Sequence, residues 1–372
     1  MTYSVPPSAR VDVLAFGRLF DDTTNSYKLI FFQSILNLLK QKLPQSGSVL
    51  LKMDDLAVEM AALAWYPHAF FRLSFGSQDQ MGKVLDNLRF TLDERALAHA
   101  DTQDELRLAI REQYEQIGLK GMLRYVPYRL LSPFFADQRR GMKDAEVKKR
   151  LIRKWSEESY ESENPALYRF VDADKTIEIH PRWVAYLTES LPIVIGWAGK
   201  HWIDYLQSRN PNTPSIPNKT SPPLIRAQLI SQTAYWRAII KERPLNCLYS
   251  GDPLNPRKLT LDHFIPWSFV CHDQLWNLIP VSREVNCSKS NCLPSESYLD
   301  EFIELQLIGL TISRRVLDNN AWAKVTEPFV CDLRIASGEL LNPKRLRAAY
   351  LGVLPAMMSL AEQIGFSARW KH

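Results

Sequence analysis

Residues 261–296 read LDHFIPWSFVCHDQLWNLIPVSREVNCSKSNCLPSE, and this stretch decides how the chain is interpreted. It holds five side chains of the types that catalyse hydrolysis: Asp262, His263, Asn277, Asn286 and Lys289. A neutral histidine takes a proton from water near pH 7 more readily than any other unperturbed side chain. Asp262 and Asn286 offer a carboxylate and an amide oxygen, which suit Mg²⁺ or Mn²⁺ rather than zinc.

Local signals place the Asp-His pair at the end of a strand. Consecutive residues on a regular strand point to opposite faces, so Asp262 and His263 can flank one group only where the strand ends or bends. Pro266 fits a strand that stops just past the pair, because proline cannot continue a central ladder. We expect two short strands with a turn between them, over 246–251, Asn255-Pro256 and 258–265.

A helix is expected to follow. Ser282 is a suitable N-cap, and Pro294 requires the helix to end by about Leu293. Three polar side chains then share one face at i, i+3 and i+4, namely Asn286, Lys289 and Ser290.

The ordered set resembles the HNH endonuclease motif in its His-Asn-Asn form. It is similar in detail to the HNH domain of the RNA-guided CRISPR nuclease, in which an Asp-His pair is followed by Pro-x-Ser-Phe, an acidic residue, Asn, then Asn-x-x-Lys-Ser and Pro-Ser-Glu. The resemblance covers roughly residues 247–296 and implies a ββα-metal fold. It also implies that Asp262 and Asn286 bind the metal, that His263 is the general base, that Asn277 orients the loop presenting it, and that Lys289 belongs to the catalytic set.

Each residue alone has a simpler explanation. His263 could be an ordinary strand histidine and Asn277 a turn residue, but four such coincidences in one register are improbable. An inert copy of the fold, acting as a nucleic-acid-binding or scaffold protein, is the alternative function. No position that the chemistry needs has been lost, so we favour an active enzyme.

The cysteines argue against a structural zinc. Many members of the family hold zinc with two CxxC pairs, whereas here Ser250 stands where the partner of Cys247 would fall. Cys287 and Cys292 are five apart, which places them on different faces of a helix. Five cysteines without a paired pattern are typical of a reducing compartment.

Composition excludes several classes of protein. A content of 46% hydrophobic and 11% aromatic residues excludes general disorder. No signal peptide is evident, and the longest apolar stretch, 191–199, is too short to span a bilayer. We therefore expect a cytoplasmic protein without a membrane partner.

Basic residues are concentrated before and within an expected amphipathic helix over 143–158. A solvated surface helix explains such a run equally well, but beside a nuclease motif it also predicts a surface that follows DNA phosphates. The candidate DNA-binding residues are Arg139, Arg140, Lys148, Lys149 and Arg153. The apolar face of this helix is expected to contain Val147, Leu151 and Trp155.

The rest of the chain has mostly helical periodicity, which predicts an α+β protein, mainly helical, carrying the ββα module. Further helices are expected over 27–43, 54–65, 79–90, 93–98, 102–118, 181–208, 224–242, 298–308 and 344–363. The proline-rich stretch 211–223 predicts a linker. It divides a helical domain over 1–210, with a hairpin near 167–180 and a regulatory or DNA-binding role, from the nuclease module 224–300 and a helical extension 301–372.

We interpret the sequence as an HNH endonuclease that uses Mg²⁺ or Mn²⁺ to nick DNA, with duplex DNA as its partner. Stand-alone HNH proteins with a helical region of this kind resemble effectors of bacterial anti-phage defence. The nuclease component of Zorya-type defence is one candidate, and that resemblance implies further defence-system proteins as partners.

Overall fold

A computed structural model describes residues 5–42, 47–89, 103–143, 146–222 and 228–372. The chain divides into two compact units. Unit 1 comprises Met1–Pro211 with Ile216–Ile225, and unit 2 comprises Asn212–Ser215 with Arg226–His372. The predicted fold class, a mainly helical α+β protein, is confirmed.

Unit 1 is built from helices around an aromatic and aliphatic core. Helix α2 (Tyr27–Lys42) packs on helix α3 (Met53–Trp65), and both are largely buried because their apolar residues surround most of the helix. The other α-helices are α1 (Val13–Gly17), α4 (Met81–Asp86), α5 (Gln103–Glu112), α6 (Val126–Leu130), α7 (Lys149–Tyr160), α8 (Pro181–Glu189) and α9 (Leu191–Arg209).

A small antiparallel sheet with the order β1-β3-β2 lies in the same unit. Strands β2 (Tyr168–Val171) and β3 (Thr176–Ile179) form the hairpin expected near 167–180. Strand β1 (Val49–Lys52), which the sequence interpretation missed, pairs with β3 so that Val49 lies opposite Ile179. A four-residue strand has too short an alternation to stand out from the helix that follows it directly.

Unit 2 contains the motif. Its α-helices and strands are α10 (Ile230–Glu242), β4 (Thr260–His263), α11 (Trp267–Val270), β5 (Leu278–Val281), α12 (Arg283–Lys289), α13 (Leu299–Val316), α14 (Asn319–Leu333) and α15 (Pro343–Gln363). The two strands pair in antiparallel fashion. Aromatic side chains from separate elements meet in its core, where Phe302 stacks on Phe264 and meets Tyr350 edge to face.

The far end of unit 2 returns to the motif. Trp370 forms an isolated parallel bridge with Pro294, and its backbone N–H donates to the Leu293 carbonyl at 3.0 Å. The Trp370 ring meets the Tyr249 ring edge to face, with 5.1 Å between the centroids. Residues after α15 therefore form part of the wall around the motif.

Two expectations for the motif's local structure are wrong. The partner of β4 is β5, over 278–281, and not a strand over 246–251, where only Asn246 forms an isolated bridge to Pro253. Helix α12 ends at Lys289 because Ser290 adopts a φ of 49°, so Ser290 is not on the helical face.

Helix boundaries elsewhere also depart from the periodicity. The helix expected over 181–208 is two helices, divided at Ser190, with Pro192 in the first turn of α9. Helix α7 begins at Lys149, and its buried residues are Ile152, Ser156 and Tyr160. Ile152 and Ser156 lie one residue along from the expected Leu151 and Trp155, whereas Val147, which precedes the helix, is buried as expected. The helix expected over 93–98 lies outside the described residues.

No helix in the described ranges combines the length and apolar character needed to cross a lipid bilayer.

Candidate active site

The β4–β5 pair brings the Asp-His dipeptide beside the segment that starts with Asn277. Asp262 lies opposite Ile279, and His263 lies opposite Leu278. The N–H of Phe264 donates to the carbonyl of Asn277 at 2.8 Å, which continues the pairing one residue past the strand. The chain then turns away at Pro266, as the sequence predicts.

The side chain of Asn277 holds the segment that follows the histidine. Its Oδ1 accepts from the N–H of Ile265 at 2.8 Å, and its Nδ2 donates to the carbonyl of the same residue at 2.9 Å. Asn277 is fully buried, so no water can replace these bonds without a rearrangement. The amide therefore fixes the backbone two residues after His263.

Helix α12 supplies the second wall of the site. Ser282 caps it by accepting from the N–H of Val285, and the buried Val285 side chain anchors the helix to the core. One turn along, the Nδ2 of Asn286 donates to the carbonyl of Leu261 at 3.2 Å. The Nζ of Lys289 donates to the carbonyl of His263 at 2.7 Å. The helix thus contacts the strand on both sides of Asp262.

Asp262 is a buried carboxylate with two protein donors. The Nζ of Lys289 lies 3.0 Å from the Asp262 carboxylate, and the hydroxyl of Tyr249 donates to its Oδ2 at 2.9 Å. Burial is the larger cause and the charge of Asp262 the next, and together they raise the pKa of Tyr249 well above its ordinary value. The phenol therefore stays protonated and can donate. A charge buried this deeply needs such a partner, and Lys289 is itself fully buried.

His263 is bonded to an acidic side chain from a nearby loop. Its Nε2 lies 2.8 Å from Oδ1 of Asp273, and the imidazole is almost fully buried. The neighbouring His272 packs its ring against Trp276, and burial lowers the pKa of His272 below its usual value. His272 is therefore neutral near pH 7.

The structure brings together the five motif residues singled out in the sequence, all of them around the end of β4. Tyr249 and Asp273 also contact these residues, and the sequence analysis assigned neither of them a role. The acidic residue in the resemblance pattern signalled Asp273. Tyr249 gave no comparable signal, because its contact with Asp262 depends on the folding of the loop that carries it.

The candidate DNA-binding residues lie in unit 1. Arg140 pairs with Asp137 at 2.9 Å and Arg153 with Asp174 at 3.2 Å, while the Nζ of Lys149 lies 5.0 Å from the centroid of the Tyr125 ring. The five basic residues are distributed over α7 and the turns before it, and four of them are exposed: Arg140, Lys148, Lys149 and Arg153. Arg139 is half-buried.

Comparison with protein families finds a match to the HNH endonuclease family over residues 247–295. Comparisons with curated proteins and with solved structures give no match. The matched segment contains β4, β5 and α12 together with all the motif residues described above. The chain therefore carries, in unit 2, a domain that belongs to the HNH endonuclease family.

Proposed function

We propose that the HNH domain is a metal-dependent endonuclease that hydrolyses phosphodiester bonds of DNA and nicks the duplex. The observation that carries this proposal is the convergence of Asp262, His263 and Asn286 at the end of β4, where α12 packs on the strand. One acid, one base and one amide at a strand end are the groups that a hydrolytic site with a hard ion requires.

The donor set fits a divalent ion such as Mg²⁺ or Mn²⁺. Asp262 offers a carboxylate, and Asn286 offers an amide on the helix packed against the same strand. A carboxylate has about four lone-pair sites, so the bonds from Tyr249 and Lys289 leave acceptor capacity on Asp262. With these two ligands, water and phosphate would complete the shell. The bound ion would neutralise charge that develops on the phosphate oxygens. Within the described ranges no three His, Cys, Asp or Glu side chains are grouped as in a larger metal cluster.

The remaining steps belong to the protein. His263 takes the proton from the attacking water as general base. Asn277 keeps the backbone after His263 in place, which limits the movement of the imidazole. Lys289 balances the charge of Asp262 and bonds the carbonyl of His263, so we assign it the positioning of both residues.

A plasmid assay tests the proposal. The full-length protein is expected to convert supercoiled DNA to open circles in Mg²⁺ or Mn²⁺, and linear DNA should follow slowly, because one site cuts one strand. His263→Ala is expected to lower the rate by ~10²–10⁴-fold. His272→Ala is the matched control, since the His272 ring packs on Trp276, and it should keep the wild-type rate.

Three outcomes would contradict parts of the proposal. Cleavage in excess EDTA would exclude the metal, and a folded His263→Ala protein that cuts at the wild-type rate would exclude the assigned base. A folded wild-type protein that binds DNA but never cuts it in any divalent ion would leave the alternative, an inert HNH domain in a scaffold protein.

The exposed basic residues of unit 1 are proposed to bind DNA phosphates. Replacing Lys148 and Arg140 by alanine is expected to weaken binding to all DNA sequences. The salt dependence of binding should also fall by about one charge for each phosphate that a removed side chain had neutralised. Equal affinity and an equal salt slope would show instead that these side chains only solvate the surface. A role in anti-phage defence, and the partners this would bring, stay predictions from the resemblance.

A further inference from the structure

The loop after α11 is shaped so that Asp273 reaches His263. Cys271 ends the helix with a φ of 56°, a left-handed conformation that turns the chain back toward β4. The carbonyl of Asp273 accepts from the Nε2 of Gln232 on α10 at 3.1 Å, which ties the loop to a long helix of the same unit. The carboxylate then lies 2.8 Å from the Nε2 of His263.

This hydrogen bond decides which nitrogen of His263 can act as a base. A carboxylate accepts hydrogen bonds and cannot donate them, so the ring proton is on Nε2 and the basic lone pair is on Nδ1. The hydrogen bond also restricts rotation of the imidazole ring about its Cβ–Cγ bond. When the imidazole takes a proton from water, the negative charge of Asp273 stabilises the cation that forms.

We propose that Asp273 is a positioning residue that fixes the tautomer and orientation of His263, an inference that rests on the proposed function of His263 as base. Two other carboxylates nearby are bonded to different partners. Asp262 is held by Tyr249 and Lys289, and Asp332 accepts from the indole N–H of Trp276 at 2.6 Å.

Single-turnover cleavage of plasmid by the full-length protein tests the kinetic part. Asp273→Ala is expected to slow cleavage about 10²-fold, the usual cost of a misplaced reacting group, while the Kd for DNA changes less than about twofold. Asp273→Asn keeps an acceptor for the Nε2 proton but loses the charge, so its rate should lie between those of the wild type and Asp273→Ala. Asp332→Ala, the matched control, removes a carboxylate of the same unit that bonds Trp276 instead, and should cut at the wild-type rate.

Ring-¹⁵N NMR of the metal-free protein tests the tautomer without any cleavage. The His263 signals are assigned by their loss in His263→Ala. We expect the wild type to show the Nε2–H form, and Asp273→Ala to show a mixture of both tautomers, whereas Asp332→Ala should match the wild type. An unchanged His263 spectrum in folded Asp273→Ala, or a cleavage rate equal to that of the wild type, would overturn the inference.

The two measurements separate this inference from the proposed function. If the wild type cuts DNA through His263 and Asp273→Ala cuts equally fast, only the role of Asp273 is excluded. If the wild type does not cut DNA at all, the NMR result still decides whether Asp273 sets the tautomer of His263.

Discussion

Asn277 shows how much one buried amide contributes to the site. Its oxygen accepts from Ile265 and its nitrogen donates to the same residue, so both halves of the group are needed. An ionised aspartate at this position has nearly the same shape but cannot donate. The carbonyl of Ile265 would then face a second acceptor in a region closed to water.

Asn277→Asp is therefore expected to lower the free energy of unfolding by about 1–3 kcal/mol, the cost of an unsatisfied buried group, and to slow cleavage about 10²-fold. Urea unfolding and the plasmid assay measure the two effects. Asn255→Asp is the matched control, because Asn255 uses its Oδ1 as an acceptor for the exposed N–H of Arg257, and an aspartate keeps that acceptor. Equal behaviour of the two variants would show that the amide nitrogen of Asn277 has no special role.

At the scale of the element, α12 is the helix that brings Asn286 and Lys289 onto β4. It has only seven residues, so its stability depends on its cap and on packing rather than on its own propensity. Ser282→Ala removes the bond to the N–H of Val285 and is expected to destabilise unit 2 by about 1 kcal/mol. Because the frayed helix carries Asn286, one of the two proposed metal ligands, the affinity for Mg²⁺ is predicted to fall as well.

A cap on another helix of the same unit provides the control. Asn342 caps α15 by accepting from the N–H groups of Lys344 and Arg345. Asn342→Ala is expected to cost about the same in stability but to leave the affinity for Mg²⁺ unchanged. Calorimetric titration and thermal unfolding compare the two, and an equal drop in metal affinity in both would refute a local role for the cap of α12.

Elements with local signals could be predicted from the sequence, and their pairing could not. Pro266 and the Ser282 cap mark the end of β4 and the start of α12, and both are where the sequence places them. The choice of β5 over 246–251 as the partner of β4 depends on burial, since all four residues of β5 are buried and the side chain of Gln306 on α13 donates to the carbonyl of Leu278. That hydrogen bond joins residues 28 apart in the sequence, so no local sequence pattern predicts it.

The same reason explains the incomplete prediction of the site. The motif residues were identified by type and spacing. The hydrogen bond between His263 and Asp273 depends on the left-handed backbone at Cys271. A cysteine rarely adopts this conformation, so the sequence does not predict it.

Both units bury tyrosines, and we therefore predict that the free energy of unfolding of the whole molecule falls at alkaline pH. Burial raises the pKa of Tyr168 in unit 1 and of Tyr350 in unit 2 well above the ordinary value of about 10. The folded state therefore retains these protons at a pH where the unfolded state loses them. Their contribution to stability is complete below about pH 10 and declines as the pH rises further.

Tyr350→Phe separates this effect from simple packing. The hydroxyl of Tyr350 donates to the carbonyl of Trp276 at 3.0 Å, so its removal should cost about 1–3 kcal/mol at pH 8. Between about pH 9 and 11 the variant should lose less stability than the wild type, because one titrating group is gone. Urea unfolding across this range measures both, and parallel curves would assign the alkaline decline to other groups.

Trp370 packs on Tyr249 and forms a bridge to Pro294, and both contacts join segments that are far apart in the sequence. During translation, these contacts can form only late. The segment with the Asp-His pair is translated long before Trp370. Helices α13, α14 and α15 are synthesised in between. During that interval the wall beside Tyr249 is missing, and Tyr249 is one of the two donors that hold Asp262. A nascent chain therefore carries the complete motif before the Trp370 ring can pack on Tyr249.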